Sequence, residues 1–404
     1  MKYSGASKAV WGAEHQVGGQ APISWPLLSG GNLRPLLALL SGGNLRPSLD
    51  LLRSGAFHAV DKALDLPFTL LYDPKSRPAM AFMIYGASGY TGRLASEHAK
   101  NLRLDCILAG RTEMEVMATA SLLKLPYRVF DLTDFSTIDS ALQGVKVLLN
   151  CAGPFFRTAE PLMGACIRNG VDYLDIAAEL DSFILLEKYD KKAREAGVML
   201  LPGCGSSVAM LGCLAAHATA KVTNPVSIDI ALRVSGTFSR GSATSAAENI
   251  VGCLQRSNDV LVQQDVENML TFDFHDGNGE ADCFPMTLPD LVTVSRSTGI
   301  RNIRTYVYVS DDALPTVDSP NTSNGPSVDH REQNPYHAAA VVTDVDGITQ
   351  RSVLHTVNGY TFTSTASVEA AKRVLEGIRR PGFQTPVEVF GESFVTEIAG
   401  TVME

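Results

Sequence analysis

The chain has 404 residues, 45% of them hydrophobic and 19% charged, with a formal net charge of −9. This length and balance describe a packed globular protein of two domains and exclude full disorder. The acidic balance, with no Lys/Arg-rich block, offers no attraction to phosphate backbones or anionic membranes, so no nucleic-acid partner is expected.

Seven cysteines (Cys106, Cys151, Cys166, Cys204, Cys213, Cys253 and Cys283) are odd in number and never form a C-x-x-C pair. They read as reduced thiols, which points to a cytoplasmic location, and they give no metal-ligand spacing. His275, His330, His337 and His355 show none either, so no metal is expected. The uncharged stretch Val198 to Ala220 is interrupted by Pro202, Gly203, Gly205, Ser206, Ser207 and His217. It reads as a strand, a turn and a buried helix rather than a membrane span. The N-terminus lacks the order of a secretory signal.

Residues 1–80 stand apart. Leu27 to Pro35 (LLSGGNLRP) is repeated letter for letter from Leu39 to Pro47. One tandem copy does not build a solenoid, and the Ser, Gly and Pro content predicts a poorly ordered extension. Met80 and Met83 lie beside the first convincing strand, which suggests a start there. The alternative for the upstream part is a targeting or docking arm.

From residue 81 short apolar runs alternate with amphipathic segments of helix length, the pattern of β-α-β units around a parallel sheet. Strands are predicted near 82–85, 105–109, 127–130, 145–150, 171–176 and 198–201. Helices are predicted near 91–103, 113–123, 134–143, 158–169, 183–196 and 207–220. The fold class is α/β, with a Rossmann doubly wound parallel sheet at its N-terminal side. Between the first strand and helix stands Gly86-Ala87-Ser88-Gly89-Tyr90-Thr91-Gly92. Gly86 allows the tight exit, Gly89 the approach of a pyrophosphate and Gly92 close helix packing, while the amides from Ser88 through Thr91 face the phosphates.

The second strand ends Ala109-Gly110-Arg111, without the carboxylate that holds the ribose hydroxyls of NAD. A guanidinium there suits a 2′-phosphate, so NADP(H) is the expected cofactor; a solvated Arg at the next helix is the alternative. Asp131 is expected either to accept from the adenine amino group or to start the helix at 134. After the fourth strand, Cys151, Gly153 and Pro154 are placed beside the ribose and nicotinamide, Cys151 serving also as a small packing residue.

Several separated motifs follow in order: YGASGYTGRL, LAGR, NCAGPF, GVDYLDIAAEL, PGCGSSVAM, SRGSATS, STGIRNI, GYTFTSTASVEAAKRVLEG and GFQTPVEVFGESFV. On these, residues 82 to 404 resemble the saccharopine dehydrogenase-like oxidoreductase family, which includes saccharopine reductases and trans-acting enoyl reductases. The resemblance implies hydride transfer at an imine, carbonyl or activated alkene of a small-molecule substrate, with the redox-silent cyclase or isomerase and the non-catalytic nucleotide-binding protein as alternatives. It also implies a second α+β domain of mixed or antiparallel sheet and a C-terminal helix returning to the Rossmann core. The expected division is 1–80 extension, 81–222 NADP-binding Rossmann domain, 223–365 substrate domain and 366–404 returning C-terminal segment, with a homodimer as the possible assembly.

The chain departs from the family at Ala177-Ala178-Glu179, where a Thr-Gly-Glu is usual, and in the acid-free Ser206 to Leu211. Residues 311–335 read as a loop-like replacement for a helical segment. In the second half, strands are predicted at 227–235, 302–309, 338–344, 352–357 and 359–364, largely antiparallel. Ser239 to Ser245 opens a helix through about Leu254, its hydroxyls either binding an oxyanion or capping the helix. Thr385-Pro386-Val387-Glu388 is a capping-box start. For acid-base work, Glu179 at the mouth of the first sheet is the first candidate, with Tyr173 and Asp175 behind it. Their structural alternatives are core filling for Tyr173 and hydrogen bonds to loop amides for the two acids.

Overall fold

The computed structural model describes residues 82–243, 253–310 and 325–404, so the extension assigned to 1–80 lies outside them. Six parallel strands come first: β1 (Phe82–Tyr85), β2 (Cys106–Gly110), β3 (Tyr127–Val129), β4 (Val147–Asn150), β5 (Asp172–Asp175) and β6 (Met199–Leu201). All but β3 are buried along their whole length, as strands covered by helices on both faces must be. Helices Tyr90–Asn101, Glu113–Leu123, Phe135–Ala141, Phe155–Asn169 and Ser207–Ala220 fill the crossovers close to their predicted places. The helix predicted at 183–196 is two, Leu180–Lys188 and Asp190–Glu195, meeting at Tyr189. The one predicted at 158–169 starts earlier, at Phe155, because the Glu179 carboxylate satisfies its first amides.

The second sheet begins with β7 (Pro225–Val234), β8 (Leu254–Ser257), β9 (Val260–Gln263), β10 (Leu270–Asp273) and β11 (Glu280–Pro285). It continues with β12 (Asn302–Val309), β13 (Tyr336–Asp344) and β14 (Thr349–Thr356). Near the C-terminus β15 (Gly382–Phe383) pairs in parallel with β6, and β16 (Val402–Met403) antiparallel with β14. The first sheet runs β15-β6-β5-β4-β1-β2-β3 and the second β10-β11-β12-β7-β13-β14-β16, with β8 and β9 off its path. Only β7 and β12 pair in parallel within the second sheet, which makes it mixed.

Three expectations are corrected. Residues 359–364 are not a strand but the first turns of helix Gly359–Leu375, started by Asn358, whose side chain accepts from the Tyr360 amide. Its Thr and aromatic residues suggested a strand, yet Tyr360, Phe362, Ala366, Ala370, Ala371 and Val374 bury one side of a helix, and packing overrides propensity. The boundary expected at 365 accordingly divides one continuous helix. The helix opened at Arg240 does not reach Leu254, which belongs to β8; residues 244–252 lie outside the described part. Within the expected loop 311–335, Val328–Gln333 is a short helix capped by Ser327, and 311–324 are outside the described residues.

A single apolar core joins the two sheets. It contains Ile84, Leu108, Leu149 and Leu201 of the first sheet and Ile230, Leu232 and Ala340 of the second, together with Leu211, Leu214, Phe362 and Ala366 from helices Ser207–Ala220 and Gly359–Leu375. The opposite face of the first sheet has its own core around Met83, Leu148, Tyr173 and Phe183. On the outer face of the second, Phe272 and Phe274 pack with Ala231, Tyr306, Ala339 and Val353.

Candidate functional site

The glycine turn leaves β1 with Gly86 at φ +81°, a conformation that favours glycine. Its amide and that of Ala87 both donate to the Ala109 carbonyl, at 2.8 and 3.1 Å, tying the turn to the tip of β2. A Cβ on Gly92 would lie 2.1 Å from the Gly86 carbonyl oxygen, so the missing side chain is what brings the helix start onto the turn. Gly89 occupies the N-cap of helix Tyr90–Asn101 and supplies no side-chain acceptor, while Gly89 itself is exposed. The first amides of the helix are thus left for an outside anion at the positive end of the dipole.

Arg111 stands exposed at the end of β2. Its charge, together with hydrogen bonds from Thr133, holds the Asp131 carboxyl below its usual range, the Thr133 bonds contributing most. The Asp131 carboxylate accepts from the Thr133 amide at 2.8 Å, and the helix start is capped separately by Asp134. Tyr85 has its ring 4.9 Å from that of Phe130, and burial, with the Asp131 charge, pushes its hydroxyl up to about 12.

The tips of β4 and β5 are held by a buried polar chain. The Asn150 side-chain amide donates to Thr158 at 3.0 Å and to the Tyr173 hydroxyl at 3.2 Å, and its oxygen accepts from the Ala152 amide. Tyr173 donates to Asp175 at 2.9 Å, and the same carboxylate accepts from the amides of Ala177 and Gly203, each at 2.9 Å. Burial pushes the Asp175 carboxyl up to about 6 against those donors. Glu179 spends one oxygen on the Phe155 amide and the other on the Phe156 amide, at 3.0 and 2.9 Å. Tyr173 and Asp175 are wholly buried and Glu179 is 4% exposed. The geometry brings the three together with Cys151, Gly153 and Pro154 around the strand tips as framework: Tyr173 fills core and both acids bond amides. Burial raises the Cys151 thiol, which is the state of a packing residue rather than a nucleophile.

Sequence reasoning missed what closes the site from the second sheet. A Cβ on Gly205 would lie 2.4 Å from the Ser367 amide nitrogen, so the turn after β6 abuts helix Gly359–Leu375 directly. The Tyr360 hydroxyl accepts from the Ser239 amide at 2.6 Å and donates to Ser242 at 2.9 Å. Ser239 also accepts from the Ser242 amide, so of the two readings of this segment its described part shows capping. Tyr90, expected at the phosphates through its amide, sends its side chain across to the second domain: its ring is 5.1 Å from Tyr360 and its hydroxyl donates to Pro326 O at 2.5 Å. The motifs carrying Gly205, Tyr360 and Ser239 were visible; their mutual contact was not. His337 and His355, unconnected by spacing, face each other across β13 and β14 with their Nδ1 atoms 2.8 Å apart.

A glycine turn, an uncapped helix and a carboxylate-free β2 tip at the carboxyl edge of a sheet ordered 3-2-1-4-5-6 define a dinucleotide-binding Rossmann protein. Residues 82–201 match the family model of the saccharopine dehydrogenase NADP binding domain, whose cofactor class is NADP(H). This stretch is similar to the saccharopine dehydrogenase-like oxidoreductase of Mus musculus, at 30% identity over 143 residues, covering 30% of this chain and 33% of the relative. It is also similar to the trans-acting enoyl reductase of Mycobacterium leprae, 31% identical over 132 residues, or 30% of this chain and 31% of that one. The match thus spans about a third of the length of these relatives. The fold is similar to that of apo saccharopine dehydrogenase (L-Glu forming) from Saccharomyces cerevisiae, with a TM-score of 0.53 and 11% identity over 79% of this chain and 96% of that one. Among the described residues no helix is long and apolar enough to cross a membrane.

Proposed function

We propose that the protein is an NADP(H)-dependent oxidoreductase that transfers hydride to an imine, carbonyl or activated alkene of a small molecule. The observation that carries this reading is the pairing of the glycine turn with Arg111 at a β2 tip that offers no carboxylate. The residues present fit the dinucleotide: the free amides at Tyr90 to Gly92 take the pyrophosphate, and Arg111 takes the 2′-phosphate by forked hydrogen bonds. Asp131 borders the adenine, while Cys151, Gly153 and Pro154 line the nicotinamide side. The bound cofactor supplies the hydride. Tyr173, Asp175 and Glu179 act as positioning groups that hold the tips of β4 and β5, and through them the nicotinamide face, in register.

Titrating the full chain with NADPH and NADH tests this. Tighter binding of NADPH, with oxidation on adding imines, ketones or enones, is expected; no binding of either cofactor overturns the reading. Arg111→Ala weakens NADPH by roughly tenfold or more and leaves NADH nearly unchanged, the loss of one charge-assisted contact. Equal losses remove the 2′-phosphate assignment.

A redox-silent cyclase or isomerase is the second reading, and its support is that all three acid-base candidates are already engaged within the protein. Binding of NADPH without substrate-dependent oxidation favours it. The cytoplasmic location belongs to the same proposal, supported by seven free thiols; recovery of the protein with sealed organelles overturns it. The homodimer belongs to the proposal too, supported by Val260 and Val262, exposed on β9, which among the described residues pairs on one side only. A sedimentation mass of one chain removes that part.

A further inference from the structure

Several arginines of the described part find carboxylates, while half-buried Arg256 bonds the backbone carbonyls of Leu291 and Asp259. Arg304 pairs with Asp229 at 2.6 Å, Arg296 with Glu388 at 3.0 Å, Arg233 with Asp276 at 3.1 Å and Arg379 with Asp172 at 2.5 Å. Arg331 does not. It is half-buried in the short helix Val328–Gln333, and its guanidinium is fixed by neutral oxygens. Nη1 donates to the Tyr90 hydroxyl at 2.5 Å and to Pro326 O at 3.2 Å, and Nε to Thr361 Oγ1 at 3.1 Å. Its Cζ stands 5.9 Å from the centre of the Tyr90 ring. A cation taken partly out of water and oriented by three neutral acceptors, with no counter-charge among the described residues, is stabilised by an arriving anion. The residue it hangs on, Tyr90, is the first of the helix whose free amides open the glycine turn.

We propose that Arg331 is a cofactor-binding residue contributed by the second domain, and that its counter-ion is the pyrophosphate of the dinucleotide, reached through Nη2, which has no partner among the described residues. The proposal rests on the nucleotide reading of the glycine turn and deepens it. It assigns the diphosphate two sources of positive charge, the helix end beneath and a guanidinium from across the cleft. Tyr90 then has a definite purpose: its phenol joins the turn to the arginine, so that both face one anion.

Equilibrium titration of the full-length protein with NADPH, NADH and inorganic pyrophosphate, on wild type and on R331Q, R331K, Y90F and R111A, tests this. R331Q weakens NADPH and NADH by the same factor, roughly 10- to 100-fold, as expected for a charge-assisted contact common to both. It weakens pyrophosphate as well, and R331K recovers part of the loss. R111A, by contrast, separates the two cofactors. If R331Q does not fold, as judged by its melting transition, a parallel loss for both dinucleotides in folded R331K carries the same test. Wild-type cofactor affinity in R331Q overturns the inference, as does unchanged cofactor affinity with a raised KM for substrate, which would make the anion a substrate group. Y90F, which frees the arginine from the turn, loses part of the same affinity for both dinucleotides, and unchanged affinity in Y90F removes the tyrosine from the proposal. Failure of the wild type to bind either cofactor defeats the underlying reading instead.

Discussion

In the first sheet β1, β2, β4, β5 and β6 are buried at every residue, whereas in the second β11 alternates exposed and buried from Glu280 to Pro285. The first sheet lies between two layers of helix. The second is covered by helices on one face and on the other only in part, by the β10–β11 hairpin with Phe272 and Phe274. A strand enclosed on both faces is specified by its apolar run, while one enclosed on a single face is specified by period and partner. The two halves should accordingly fail in different ways when altered: the first by collision, the second by loss of what holds it to the first.

The largest effect is expected at Gly92. Gly92→Ala places a methyl against a backbone oxygen that cannot move aside, and the overpacking cost of about 3 kcal/mol lowers NADPH affinity by roughly 100-fold, measurable by titration. Wild-type affinity would show that the helix start is free to shift and would weaken the contrast.

Next is the seam between the sheets' shared C-terminal segment and β5. Arg379 donates to both Asp172 oxygens, and Asp172 also accepts from the Met199 amide. Arg379→Ala leaves a buried carboxylate without its cation and is expected to lower the unfolding free energy by about 2–3 kcal/mol, toward the low end for buried pairs because the arginine side chain is 33% exposed. Urea denaturation checks it; a change within the spread of surface variants would mean that β15 is held by its strand pairing alone.

The smallest effect has the opposite sign. Asp290, at the head of helix Asp290–Thr298, is fully buried, and neither carboxyl oxygen has a hydrogen-bond partner on another described residue. Burial pushes its carboxyl up to about 8. Between its ordinary range and that value the folded state holds a proton that the unfolded chain has released, so stability falls as pH rises from about 4 to 8. Asp290→Asn removes this slope and stabilises the protein at pH 8 by on the order of 1 kcal/mol, more than at pH 5. Identical pH profiles of melting temperature for variant and wild type would exclude Asp290 as the source.

The same contrast decides what was legible. All six strands around the glycine turn follow from apolar runs and their spacing, and so do the capping box at Thr385 and the helix from Ser207. Strands β8 to β11 were not foreseen: Leu254–Ser257 and Val260–Gln263 are short, partly exposed and stabilised by pairing with each other and with β12, which no local pattern announces. Helix Gly359–Leu375 was misread because Thr and aromatic residues favour strands in isolation, while its buried side and Asn358 cap favour a helix in place. At the site, Gly86, Gly92, Arg111 and the Asn150 to Pro154 bend were readable as residue types in a known context. Glu179 was readable as a carboxylate at the right edge but not as one spent on the Phe155 and Phe156 amides. Arg331 was invisible, because its meeting with Tyr90 spans 241 residues.

The segment after helix Gly359–Leu375 gives one strand to each sheet, β15 beside β6 and β16 beside β14. During synthesis, then, neither sheet can be completed by the residues that precede it. The Rossmann half emerges from the ribosome early, yet it waits with the open side of β6 unpaired until Gly382 and Phe383 arrive. A nascent chain paused before that point carries an unfinished edge in both halves at once, and the two become whole within some twenty residues of each other.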